Sequence, residues 1–122
     1  MLPGDFPLTL YRGDTGRWKF MLWDDEEKTD PTDLIGATAA AQIRDKPGGT
    51  TIIDLGCTIT EPNIIDVLLT DEMSKLLPAK GVWDLQITYS FGDVSTIVAG
   101  KVTVTADVTD STVTARRLRA VP

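Results

Sequence analysis

Between Gly81 and Thr105 the chain reads Gly-Val-Trp-Asp-Leu-Gln-Ile-Thr-Tyr, then Ser-Phe-Gly-Asp, then Val-Ser-Thr-Ile-Val-Ala-Gly-Lys-Val-Thr-Val-Thr. In the first arm Trp83, Leu85, Ile87 and Tyr89 share one parity, while Asp84, Gln86 and Thr88 take the other. A period of two is what a half-buried strand requires. In the second arm Val94, Val98, Val102 and Val104 share a parity, so one face is expected to stay apolar over about 12 residues, or roughly 40 Å. Gly92 sits in the connection, where a tight turn needs positive φ. A hairpin this long is not stable alone, because its apolar face would remain in water. The rest of the chain must supply the layer that covers it.

That layer is available within one domain. A chain of 122 residues buries roughly two-thirds of its unfolded surface on folding, enough for a core without metal or disulfide support. Apolar residues at 42% and charged residues at 25% fit a soluble globular protein. No apolar run is long enough to span a membrane, and the start, Met-Leu-Pro-Gly-Asp-Phe-Pro, lacks the pattern of a secretion signal. The expectation is synthesis in a cytoplasm.

Composition also removes whole classes of chemistry. The chain has no His, which takes away the usual general base, the commonest zinc ligand and the ordinary serine or cysteine triad. Cys57 is alone and reads as a small buried hydrophobe. An Asp/Glu pair could in principle hydrolyse a glycoside, but nothing in the sequence fixes two carboxylates at a reactive distance. The chain is therefore expected to be no enzyme, with no catalytic, metal or cofactor site and no small-molecule substrate. A net charge of −6 and a pI near 4.5 argue against nucleic acid as a partner, since phosphate contacts need clustered Lys and Arg. The charge is uneven: the last seven residues hold Arg116, Arg117 and Arg119 and no acid, so residues 1–115 carry −9.

Taken in order, Phe6–Arg12 reads as a first strand with Pro7 marking an edge. Arg12-Gly13-Asp14 reads as a turn, although the same tripeptide also invites comparison with adhesion signals. Thr15–Leu22 alternates, placing Trp18 and Phe20 toward the core, where they could meet Trp83. Asp24–Asp33 is the most acidic run. It lacks the Asp-x-Asp-x-Asp-Gly spacing of a calcium loop and reads as a solvated connection, with incidental Ca²⁺ binding left open.

Ala37–Arg44 is Ala-rich, but Gly36, Thr38 and the parity of Ala37, Ala39, Ala41 and Ile43 make it a strand ending at Asp45-Lys46-Pro47-Gly48-Gly49. Thr50–Leu55 returns, and Cys57–Thr60 and Asn63–Leu69 read as two further short strands. Thr70 caps a helix over about residues 71–77, with Met73, Leu76 and Leu77 as its apolar stripe and Pro78 as its stop. After Thr105 the large apolar residues thin out. The predicted organisation is a β domain over residues 1–110 and an extended C-terminal arm over residues 111–122, either disordered or ordered against a neighbouring subunit.

The strand, Arg-Gly-Asp turn and aromatic strand are followed by Leu34-Ile35-Gly36-Ala37-Thr38, Gln42-Ile43-Arg44, Gly48-Gly49 and Ile53-Asp54-Leu55. Then come Leu76-Leu77-Pro78-Ala79-Lys80-Gly81-Val82-Trp83-Asp84-Leu85-Gln86-Ile87-Thr88 and Gly100-Lys101-Val102-Thr103-Val104-Thr105. Over about residues 8–109 this resembles the immunoglobulin-like β-sandwich of small tailed-phage virion proteins, notably the N-terminal domain of baseplate upper proteins and related minor tail proteins. The resemblance implies an all-β, antiparallel sandwich and a structural role in a virion, in contact with other virion proteins and copies of itself. Members of the family often continue into a fibre or receptor-binding region. This sequence stops at Pro122, which favours a small assembly component of the tail tip or baseplate. A head-decoration protein on a capsid lattice is the second virion reading, and a host-receptor-binding module the alternative of another class. The interface residues expected are Arg116, Arg117, Leu118 and Arg119 on the arm, Asp24, Asp25, Glu26 and Glu27 as the acidic acceptor, and Trp23. Arg pairs bidentately with carboxylates, so docking of arm to acidic loop between subunits is physically reasonable.

Overall fold

The long hairpin is present as two antiparallel strands, β7 (Lys80–Thr88) and β8 (Val94–Thr105), in a computed structural model that describes residues 3–106. Gly81, Trp83, Leu85 and Ile87 are buried, as the alternation requires. The Tyr89 N–H bonds the Asp93 carbonyl and the Gly92 N–H the Tyr89 carbonyl, with Gly92 at φ +96°. The left-handed glycine lets a three-residue loop close without splaying the strands. The second arm departs from expectation. The register shifts from Leu85↔Val98 to Gln86↔Thr96, so Ile97 is an extra residue. A bulge of this kind breaks the period of two. Val102 and Val104 are buried, but Val94 is 59% exposed, and the apolar face does not run the full strand.

The other strands are β1 (Gly4–Asp5), β2 (Leu8–Tyr11), β3 (Gly16–Met21), β4 (Thr38–Arg44), β5 (Thr51–Thr60) and β6 (Ile64–Leu69). They form one continuous sheet in the order β1-β8-β7-β4-β5-β6-β3, with β2 also on β8. The fold is all-β, a mostly antiparallel mixed sheet curled into a half-barrel around Ile43, Ile65, Val67, Leu69, Leu85 and Ile87. Two separate layers were expected; a single strand joins them. Thr51–Leu55 of β5 pair with β4, whereas Gly56–Thr60 pair with β6, so the two short strands read from the sequence are one. Gly56 stands at the handover, opposite Leu68.

The first strand is divided at Pro7, which cannot donate to a ladder. Both pieces run parallel to β8, β1 opposite Val98–Ala99 and β2 opposite Val102–Thr105. At the break the freed Phe6 carbonyl accepts from the Trp83 indole N–H at 2.7 Å. Gly100 lies beneath: a Cβ there would sit 2.7 Å from the Phe6 carbonyl carbon.

Phe20 meets Trp83 across the core at 6.0 Å, and Phe6 meets Phe20 at 5.1 Å, so aromatic rings bridge the two rims of the curled sheet. Trp18 packs beside the core, its ring folded back over Gly16.

The helix is shorter than the sequence suggests. α1 covers Asp71–Ser74 and is capped by Thr70, whose hydroxyl accepts the Met73 N–H at 3.2 Å. Tighter bonds from Leu76 to Met73 and from Leu77 to Ser74 replace the second turn, leaving Leu77 buried and Leu76 69% exposed. No helix among the described residues is long and apolar enough to cross a membrane.

Candidate functional site

Because the sheet curls without closing, its two rims leave a seam, and the seam opens at one end into a groove of about 790 Å³. One wall is the segment after β3, with Leu22, Trp23 and Asp24; the other is the start of β8, with Val94, Thr96 and Ile97. Tyr89 and Thr32 also line it. The first wall is fixed by buried Asn63, whose side-chain amide donates to the Leu22 carbonyl at 2.7 Å while its own backbone carbonyl accepts the Leu22 N–H at 3.0 Å. The Thr32 N–H donates to the same Leu22 carbonyl at 3.1 Å, and Trp23 bridges Pro31. Trp23 is thereby held half-buried in the wall, an aromatic face with room in front of it.

The acidic run forms a compact loop. The Asp24 N–H bonds the Asp30 carbonyl, and Lys28 takes a positive φ of 61° at the tip. The Asp25 carboxylate accepts the N–H groups of Thr29 and Asp30 and the Thr29 hydroxyl. The Thr29 hydroxyl and the Asp30 amide, stabilising the charged form, hold Asp25 below its ordinary value. Asp24 accepts from the Thr32 hydroxyl at 2.8 Å and faces the groove. The structure thus separates the four acids expected to act together: Asp24 is at the groove, Asp25 serves the loop itself, and Glu26 and Glu27 stand exposed at its tip. Among the described residues no cluster of acids or Cys could hold a metal ion. Arg116, Arg117, Leu118 and Arg119, with the whole of the expected arm, lie outside the described residues.

Tyr89, Val94 and Ile97 were not expected here. Val94 and Ile97 come into the groove because the bulge turns the start of β8 out of its expected parity, and no residue type in the sequence marks that bulge.

The other features singled out by sequence are occupied structurally. Arg12 donates from Nε to the Leu77 carbonyl at 3.0 Å, the Gly13 N–H donates to the Ser74 hydroxyl at 2.9 Å, and Gly13 has φ +93°. The Arg-Gly-Asp turn therefore ties β2 to the helical turn. Cys57 is half-buried, and burial pushes its thiol above the ordinary value, which disfavours the reactive thiolate. On the outer face Gln42 links Asp54 and Arg44, at 2.8 Å each, and Asp84 lies across the ladder from Gln42. Burial raises the Asp84 carboxyl, with the Arg44 charge offsetting part of the effect.

No family model matches the chain, and no curated protein does. Among solved structures it is similar to a mutant of the SrpA adhesin from Streptococcus sanguinis, with a TM-score of 0.49 and 18% identity over 83% of this chain. This chain spans 55% of that one.

Proposed function

We propose that the protein is a non-enzymatic structural component of a tailed-phage virion, a minor tail protein of the tail tip or baseplate that works through contacts with other virion proteins and copies of itself. Its finer architecture is, on this reading, an immunoglobulin-like sandwich: β2, β8, β7 and β4 make one layer, β6 and β3 the other, and β5 passes between them. The observation that carries the proposal is the seam groove. An aromatic wall, an acidic rim and the start of a strand open on one side together suit a protein surface better than a reacting substrate. The motif stretch Leu77–Thr88 and the closing Gly100–Thr105 support the same family. In a ring or lattice a weak contact is multiplied by copy number, so a small chain with one such groove can be held firmly.

Gold-labelled antibody against the protein, applied to particles from cells that produce it, tests the reading. Label at the tail tip is expected. Label over the capsid would make it a decoration protein. Particles without label, together with binding of the isolated monomer to host cells, would replace the structural role with receptor recognition.

A further inference from the structure

The groove has the makings of an acceptor for an added strand. On the side of β8 away from β7, β1 covers Val98–Ala99 and β2 covers Val102–Thr105; among the described residues no strand covers Val94–Thr96, and Pro3, just before β1, lines the groove beside them. The hairpin fixes which backbone groups face that side. Starting from the Tyr89–Asp93 bond, the alternation of an antiparallel ladder makes Ile87↔Ser95 the next hydrogen-bonded pair. Val94 and Thr96 therefore turn their N–H and C=O groups outward, into the groove bounded by Trp23 and Asp24. A strand edge beside an apolar trough is the arrangement that peptides use when they add to a sheet.

We propose that the segment Ser111–Arg119 of a second copy of this chain is the strand that enters, an inference that rests on the assembly reading above and names the contact it uses. The segment has no Gly or Pro, so it can donate to a ladder along its length, and Thr112, Val113 and Thr114 at its start suit a strand. At a period of two, one face runs Val113, Ala115, Arg117, Arg119, apolar first and basic after. The groove offers both chemistries, the rings of Tyr89 and Trp23 and the carboxylate of Asp24. The charges are complementary too: residues 3–106 carry −7, whereas Arg116–Arg119 hold three positive charges and no acid.

A second copy suits the path better than the same chain. Ala106 leaves β8 at the end opposite Val94, roughly 40 Å away at about 3.4 Å per residue. The edge between is taken by β2 and β1, so a chain's own tail would have to reverse and pass outside both. The tail of a neighbour need not make that reversal.

The test is the solution mass of the full chain against concentration, by light scattering. Val94→Lys and the pair Arg117→Glu with Arg119→Glu are each expected to weaken association at least tenfold. Because Val94 is 59% exposed, its replacement leaves the core intact. Adding Asp24→Lys to the Arg117→Glu, Arg119→Glu chain should restore some of the association, which a merely destabilised fold would not do. A mass above 13.3 kDa that neither replacement moves would overturn the groove as acceptor and leave the virion role to the labelling experiment. A monomer at every concentration would overturn docking between copies.

Discussion

The two halves of β8 are one continuous strand with different duties. From Val102 to Thr105 it has β2 on one side and, on the other, β7 as far as Thr103 and the Ala79 carbonyl at Val104, and it sends Val102 and Val104 into the core at 2% and 5% exposure. From Val94 to Thr96 it pairs, among the described strands, with β7 alone, and Val94 is 59% exposed. The bulge at Ile97 lies between them. Val102 and Val104 thus hold the fold in one half, while Val94 is offered to solvent in the other and Ile97 keeps only part of its side chain against the core. A natural sheet rarely leaves an apolar edge open without a use for it, because such an edge invites pairing.

The contrast can be broken at several places. Gly100→Ala should have the largest effect, a loss of about 3 kcal/mol in urea unfolding, since the new Cβ meets backbone atoms of Phe6 and Pro7 that cannot swing aside. The paired replacements Val102→Ala and Val94→Ala should differ: about 2 kcal/mol for the first, from lost transfer energy and a cavity, and within ~0.5 kcal/mol for the second. Equal losses would mean that the start of β8 belongs to the core after all. Ser74→Ala, at the inner end, leaves the Gly13 N–H without its partner and should cost about 1–2 kcal/mol.

The smallest effect is at the outer end and depends on pH. The folded Asp25 carboxyl lies below 3.8, so its bonds to Thr29 and Asp30 are present above that value and are lost as pH falls through the folded one. Asp84 has the opposite sign: its folded value is raised, so its penalty is relieved on acidification. Amide shifts of Thr29 and Asp30 should therefore move below pH 3.8 while those of Val102 and Val104 stay fixed. Joint movement would mean that the loop and the core unfold together.

Strand alternation was legible where the ladder is regular. Trp83, Leu85 and Ile87 are buried as read, and β4 forms a strand despite its Ala content because its parity outweighs helix propensity. Three things were not legible. The bulge leaves no mark in composition. The union of Thr50–Leu55 with Cys57–Thr60 was hidden because Gly56, a residue disfavoured inside strands, stands between the two apolar runs, yet the strand continues through it. The helix was overextended because the Met73, Leu76 and Leu77 stripe is compatible with one turn followed by a tighter one. Of the groove, Trp23 and the acidic loop were visible as an odd parity and a charge run. Tyr89, Val94 and Ile97 were not, since their shared location depends on the register shift.

The parallel pairing of β2 with β8 also governs how the fold would bear a pull. The chain runs in along β2 and out along β8 in the same direction, four residues deep in register. Tension applied between the two ends of the chain therefore drags these neighbours past one another lengthwise, so that their hydrogen bonds share the load and fail together. An antiparallel pair pulled from its open end would instead unzip, its bonds breaking in succession. A pull along the chain would thus be resisted where β2 lies on β8, with the Phe6 carbonyl and the Trp83 indole as a catch.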